Sequence, residues 1–200
     1  AALKRMGVDY ELVGFSEIDK YAARSYCAIH GVDESLNLGD ITKIDESKLP
    51  TDIDLVTWGF PCTDISNAGL RKGFFDENGN KTRSGLFFDG LRIIQATQPK
   101  VSLIENVKAL TGKKFKNEFE LVLRSLEEAG YVNHWKVLNA ADFGVPQNRE
   151  SVFIVSIRKD LDDGSFVFPE GFDLVLKLKV VLEKRVPEKF YLSGVLIYGF

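Results

Sequence analysis

An α/β fold with a doubly wound, mostly parallel sheet is what this sequence predicts, on three observations. Short, nearly continuous apolar runs alternate along the chain with segments of helical periodicity. Continuous rather than alternating apolar runs belong to strands covered on both faces, as parallel sheets are. With 200 residues, 44% of them hydrophobic, the chain can bury one sizeable α/β core, so a single domain over residues 1–200 is expected.

The elements follow in order. AALKRMGVDY reads as the last turns of a helix, with Leu3 and Met6 at helical spacing and Gly7 as a stop, which points to an element before Ala1. ELVGFS (11–16) is a short β-rich run, and DKYAARSYCAIHG after it is helical. IDLVTWGF (53–60) is a second strand, LFFDGLRIIQAT (86–97) a second amphipathic helix and VSLIENV (101–107) a third strand. NEFELVLRSLEEAG (117–130) is a third helix that Gly130 closes. NHWKVLNA and SVFIVSI, separated by ADFGVPQNRE, form a closing antiparallel pair. From about Leu161 the tail is less regular, and its end, GVLIYGF, is strongly apolar.

Composition narrows the function. Two cysteines, Cys27 and Cys62, cannot build the disulfide framework of a small secreted protein, so a reducing, cytoplasmic or nucleoid-associated location is expected. No apolar run is long enough for a membrane span, and no signal peptide is visible. A net charge of −3 argues against coating nucleic acid by bulk charge, while leaving room for a local basic groove. A monomer is expected. Cys27, His30 and His134 read as structural, without the ligand spacing of a zinc site.

In a doubly wound sheet ligands bind beyond the carboxyl ends of the strands. Glu17, Cys62 and Glu105 stand at three such ends. Glu17 suits ribose hydroxyls, or equally a helix N-terminus whose dipole favours a carboxylate. Asp40 suits an adenine amino group, or a turn cap. Cys62 follows a proline and opens a long polar stretch, TDISNAGLRKGFFDENGNKTRSG, whose Arg71, Lys72, Lys81 and Arg83 suit a phosphate-gripping lid; the alternatives are a packed thiol and a solvated loop. Glu105 ends so apolar a strand that its carboxyl should be partly desolvated and ready to donate a proton. An acid beside a thiol matches conjugate addition to a heteroaromatic ring, the acid neutralising a ring nitrogen while sulfur attacks carbon.

The segments GFPCTDIS, ENV and GVPQNRE, in this order, resemble the C5-cytosine DNA methyltransferases. EIDKYA, GDIT, RSGLFFDGLRII and KVLNAADFGVPQ extend the likeness over roughly residues 1–170. The resemblance implies a fold of the S-adenosylmethionine-dependent, Rossmann-like type and methyl transfer from that cofactor to C5 of cytosine, as in restriction–modification systems. Cys62 would be the nucleophile adding to C6, Glu105 the group on the N3 and amino edge, and Asn106 a support for the Pro-Cys loop. Arg149 would hold the active-site loop or the target nucleotide's backbone. Glu17, Ile18, Asp40, Ile41, Phe60 and Pro61 would surround the cofactor, and Ser66, Arg71, Lys72, Arg83 and Gln147 would meet the substrate. That partner would be double-stranded DNA with the cytosine flipped out of the stack. A silent relative that binds DNA or cofactor, and a tRNA methyltransferase, are the alternative readings.

Three departures from the family pattern carry expectations. Thr63 replaces a glutamine often found after the cysteine. Ser151 replaces the second arginine of QxRxR, so Ser151→Arg should speed methylation in a complete enzyme. The glycine-rich FxGxG turn, a large target-recognition region and a GNS-type motif are not found in these residues, so the chain by itself should bind cofactor weakly and transfer no methyl groups.

Overall fold

The computed structural model describes residues 2–62, 73–173, 178–183 and 185–188. Thr63, Ser66, Arg71 and Lys72 therefore lie outside the described residues. The described chain divides into two compact units, one of Ala1–Val137 with Ser151–Phe168, the other of Leu138–Glu150 with Pro169–Phe200.

Helix α1 (Ala2–Arg5) stops ahead of Gly7, whose φ of 68° places it in the left-handed region. The run at 11–16 does not become a strand; it makes one parallel bridge, Phe15 to Asn37. Its partner is flanked by a 3-10 turn at Glu34–Leu36 and by Gly39 with φ of 73°, so the pairing cannot lengthen into a ladder. Helix α2 (Lys20–His30) begins where Asp19 accepts hydrogen bonds from the amides of Tyr21 and Ala22, both at 2.8 Å. Gly31, at φ 66°, ends it.

Strand β1 (Leu55–Trp58), helix α3 (Phe87–Thr97) and strand β2 (Val101–Val107) form a βαβ unit whose strands run parallel, Leu55 opposite Val101 and Trp58 opposite Ile104. Helix α4 (Lys116–Glu128) leads to β3 (Tyr131–Asn139), and β4 (Glu150–Arg158) follows. The sheet order is β1-β2-β4-β3, with β4 antiparallel to β2. Asn133 meets Ser156 while Ala140 meets Arg149, so β3 and β4 run in opposite directions, the closing pair that the sequence suggests. A last short helix, α5, spans Leu178–Val181. The fold is α/β with an open mixed sheet.

VSLIENV is not buried equally on both faces. Ser102, Ile104 and Asn106 are buried and lie opposite Ser156, Ile154 and Val152 of β4; the intervening residues are half-buried. Onto the buried face α3 packs Phe87 and Leu91, and α4 packs Phe119, Val122 and Leu126. Each such side chain, taken fully out of water, contributes about 1.5–3 kcal/mol. Phe74, from the second half of the stretch read as a lid, is 2% exposed and belongs to this core. Just beyond it, Phe75 pairs with Lys81 in an antiparallel bridge. Part of that stretch is thus a tethered turn rather than a free loop. No helix among the described residues is long and apolar enough to cross a membrane.

Candidate active site

Cys62 stands four residues past the end of β1 on a turn secured from two directions. The Asn106 side-chain amide donates to the Phe60 carbonyl at 3.0 Å, and its oxygen accepts from the Val107 amide at 2.9 Å. Asn106 is 3% exposed and its bond to Phe60 forms away from water, where leaving a partner unmade is costly; the bond from Val107 is part-buried. On the other side Ser84, just ahead of α3, donates its hydroxyl to the Pro61 carbonyl at 2.7 Å. Gly59 completes the arrangement: a Cβ there would sit 2.9 Å from the Glu105 carbonyl oxygen, so the residue lets the exit from β1 run against the end of β2. Cys62 is a free, half-buried thiol packed at the margin of the core, and Pro61 and Glu105 are also half-buried. The strand ends bring Cys62, Glu105 and Asn106 to one corner. Asn106 faces the helix-covered side of the sheet, and Glu105 the opposite side.

A second corner forms around Glu17 and Asp40. Asn37 holds the two segments together, its oxygen accepting from the amides of Glu17 and Gly39, its nitrogen donating to the Glu17 carbonyl, each at 3.0 Å. Ser16 adds a bond to the Gly39 carbonyl at 2.6 Å. Glu17 also accepts from the Asp19 amide at 2.8 Å, and Asp40 accepts from both the hydroxyl and the amide of Thr42. Local capping is therefore what both carboxylates do in this structure. Those bonds from Thr42, hydroxyl foremost, hold the Asp40 carboxyl below its usual range, so it stays an ionised acceptor at neutral pH. Ile18, next to Glu17, is 76% exposed, and Ile41, next to Asp40, is half-buried.

Helix α3 connects the corners. Ser84 precedes its first turn and grips Pro61, and Arg92 reaches the carbonyls of Ile41 and Ile44. The 3-10 turn at 84–86, at about 2.0 Å per residue, and the helix after it, at about 1.5 Å, separate these anchors by roughly 13 Å along the axis. Sequence reading missed Ser84, Arg92 and Asn37 as organisers. The available signal was Asp89 with Arg92 three positions on, a charged pair on an otherwise apolar helix.

The remaining candidates are more dispersed. Arg83 is exposed beside Ser84. Gln147 and Arg149 belong to the second unit and are exposed; the Arg149 amide donates to the Asn139 side chain at 3.1 Å, and its carbonyl accepts from Ala140. Ser151, 6% exposed, lies opposite Val107 on the face of the sheet that carries Glu105. Cys27 is half-buried in α2, His30 stacks on Tyr26 at 4.4 Å, and His134 bonds Asp162 at 3.0 Å.

Comparison with known proteins gives this arrangement its family. The model of the C-5 cytosine-specific DNA methylases matches residues 1–195. Orphan methyltransferase M.Rho11sI of Bacillus phage rho11s is 42% identical over 96% of this chain and 43% of its own length. Type II methyltransferase M2.ScrFI of Lactococcus lactis subsp. cremoris is 48% identical over 79% of this chain and 42% of its own. The chain thus spans about two fifths of the length of these curated relatives. Among solved structures, a Spodoptera frugiperda DNMT2 mutant superposes with a TM-score of 0.71 at 22% identity, over 94% of this chain and 57% of that one. An Entamoeba histolytica methyltransferase, EhMeth, gives 0.65 at 18%, over 92% of this chain and 55% of that one. These two likenesses establish the fold, and the family model with the closer relatives goes further: the chain belongs to the C-5 cytosine-specific DNA methylases.

Proposed function

We propose that the protein transfers a methyl group from S-adenosylmethionine to C5 of cytosine in DNA, with Cys62 bonded to C6 during the reaction. The observation that carries this reading is the Pro-Cys turn, held by Asn106 and Ser84 against the strand end that bears Glu105, in a member of this family.

Cytosine C5 is a poor nucleophile. The Cys62 thiolate adds to C6, and the ring electrons shift to make C5 an enamine carbon while Glu105, at N3, supplies the proton that neutralises the ring nitrogen. S-adenosylmethionine, when bound, supplies an electrophilic methyl on its sulfonium. Once C5 has taken that methyl, the donor sulfur leaving as a neutral thioether, loss of the C5 proton to water expels the Cys62 thiolate, Glu105 takes back the N3 proton, and the aromatic ring is restored. The thiolate is the reactive form of a nucleophilic cysteine. The base must leave the duplex to be reached, with Ser66, Arg71, Lys72, Arg83 and Gln147 the candidates to hold the opened DNA. The second corner supports the cofactor reading: Ile18 is an exposed apolar surface suited to adenine, and Glu17 and Asp40 are acceptors suited to ribose and amino hydrogens.

The test is DNA carrying 5-fluorocytosine, because fluorine at C5 blocks the elimination that frees sulfur. Expressed from its full reading frame and given S-adenosylmethionine, the protein should form an adduct that survives denaturation, Cys62→Ala should abolish it, and Glu105→Gln should slow it severely with DNA binding kept. An undiminished adduct in Cys62→Ala would remove the nucleophile assignment, and labelled methyl arriving on tRNA in place of DNA would overturn the substrate.

A further inference from the structure

The segment that carries Asp40 and Ile41 has little structure of its own. It consists of two single-turn 3-10 helices, Ile41–Lys43 and Glu46–Lys48, each held by an aspartate cap. Among the described residues, the hydrogen bonds that tie positions 41–46 to a regular element all come from Arg92 of α3. One Nη1 hydrogen goes to the Ile44 carbonyl at 2.8 Å and another to the Glu46 carboxylate, while Nη2 donates to the Ile41 carbonyl. The guanidinium is itself steadied. Its Nε lies 3.8 Å from Asp89, whose side chain is only 11% exposed and whose second oxygen takes the Lys81 ammonium at 2.8 Å. Gly85 lets the Lys81 stem reach that position, because a Cβ there would collide with the stem. A planar fork of five N–H groups can serve two carbonyls and two carboxylates together, which a lysine ammonium cannot.

We propose that Arg92 is a positioning residue of the cofactor pocket. It fixes the Asp40–Ile41 loop to α3 and so holds the adenine side of the pocket ready for the cofactor. This rests on the cofactor reading above. Asp89 orients the guanidinium, and Lys81 offsets the second half of the Asp89 charge.

The experiment uses protein expressed from its full reading frame and S-adenosylhomocysteine as the probe. Calorimetric titration should show the dissociation constant rising roughly tenfold or more in Arg92→Ala, with Arg92→Lys in between. Amides 42–46 should exchange hydrogen faster in ligand-free Arg92→Ala, with amides of β2 unchanged. In methyl transfer, KM for the cofactor should follow the dissociation constant while kcat at saturation holds, a split that general loss of structure would not give. If Arg92→Ala does not fold, Arg92→Lys carries the test alone. Wild-type affinity in the variants, or unchanged exchange at 42–46, would overturn this role and leave the cofactor reading standing. A wild-type protein that binds no S-adenosylhomocysteine would overturn both.

Discussion

Asn106 works through both ends of its amide, and that is what distinguishes it from a buried polar residue that merely packs. Truncation in Asn106→Ala strands the Phe60 carbonyl in a dry environment and removes the acceptor of the half-buried Val107 amide. The expected cost is about 1–3 kcal/mol for each group left unmet, read as a lower urea midpoint with unchanged slope. Adduct formation with 5-fluorocytosine DNA should fall further than stability explains, because the turn bearing Cys62 loses one of its two clamps. An undisturbed midpoint would show that water replaces the side chain there. Cys62, Glu105 and Asn106 were legible in the sequence because their spacing carries a motif. Arg92 was not, since its main partners are backbone carbonyls, which leave no trace in the identity of the residues that bear them.

At the scale of elements, the contact between the exit of β1 and the end of β2 is the tightest joint of the site. Gly59→Ala would put a methyl group 2.9 Å from the Glu105 carbonyl oxygen, and one of the two backbones must give way. The expected loss is about 1–3 kcal/mol of stability, with methyl transfer lost even where the protein still folds, since Phe60 to Cys62 move with the displaced chain. Full activity in this variant would mean that the turn tolerates far more play than its clamps suggest. Helices α2, α3 and α4 and strand β2 were legible to within a residue or two, because caps and periodicity mark them locally. The run at 11–16 was over-read: its composition favours a strand, but its partner is broken by a turn on each side of Asn37, a long-range fact that local composition does not hold.

For the molecule as a whole, Tyr131 offers a handle on global stability. It opens β3, is fully buried, and donates its hydroxyl to the Pro99 carbonyl at 2.9 Å, just ahead of β2. Burial pushes its phenol up to about 12 from the ordinary 10.0. Ionisation is thus easier in the unfolded chain: the contribution is complete below pH 10 and drains away as pH climbs toward 12. Tyr131→Phe should lose about 1 kcal/mol at neutral pH with the missing hydrogen bond, and should show a shallower alkaline decline than the parent in urea titrations at stepped pH. Parallel declines would assign the alkaline loss to other groups. The α/β class was legible because alternating strands and helices report it directly. How the sheet is covered was not: half of VSLIENV faces α3 and α4, and composition does not say which half.

The chain holds two tryptophans, and their surroundings give them different optical behaviour. Trp58 lies half-buried in a space that Gly90 leaves open, stacked on Phe87 at 5.8 Å and bonded through Nε1 to Ser102 at 2.8 Å. Trp135 is 46% exposed, its ring edge-on to Phe119. Iodide should therefore quench the red-edge emission of Trp135 and spare the bluer light of Trp58. With Trp135→Phe these 200 residues keep one tryptophan, a lamp set four residues from Cys62, so that events at the Pro-Cys turn can be followed by light alone, with no label attached.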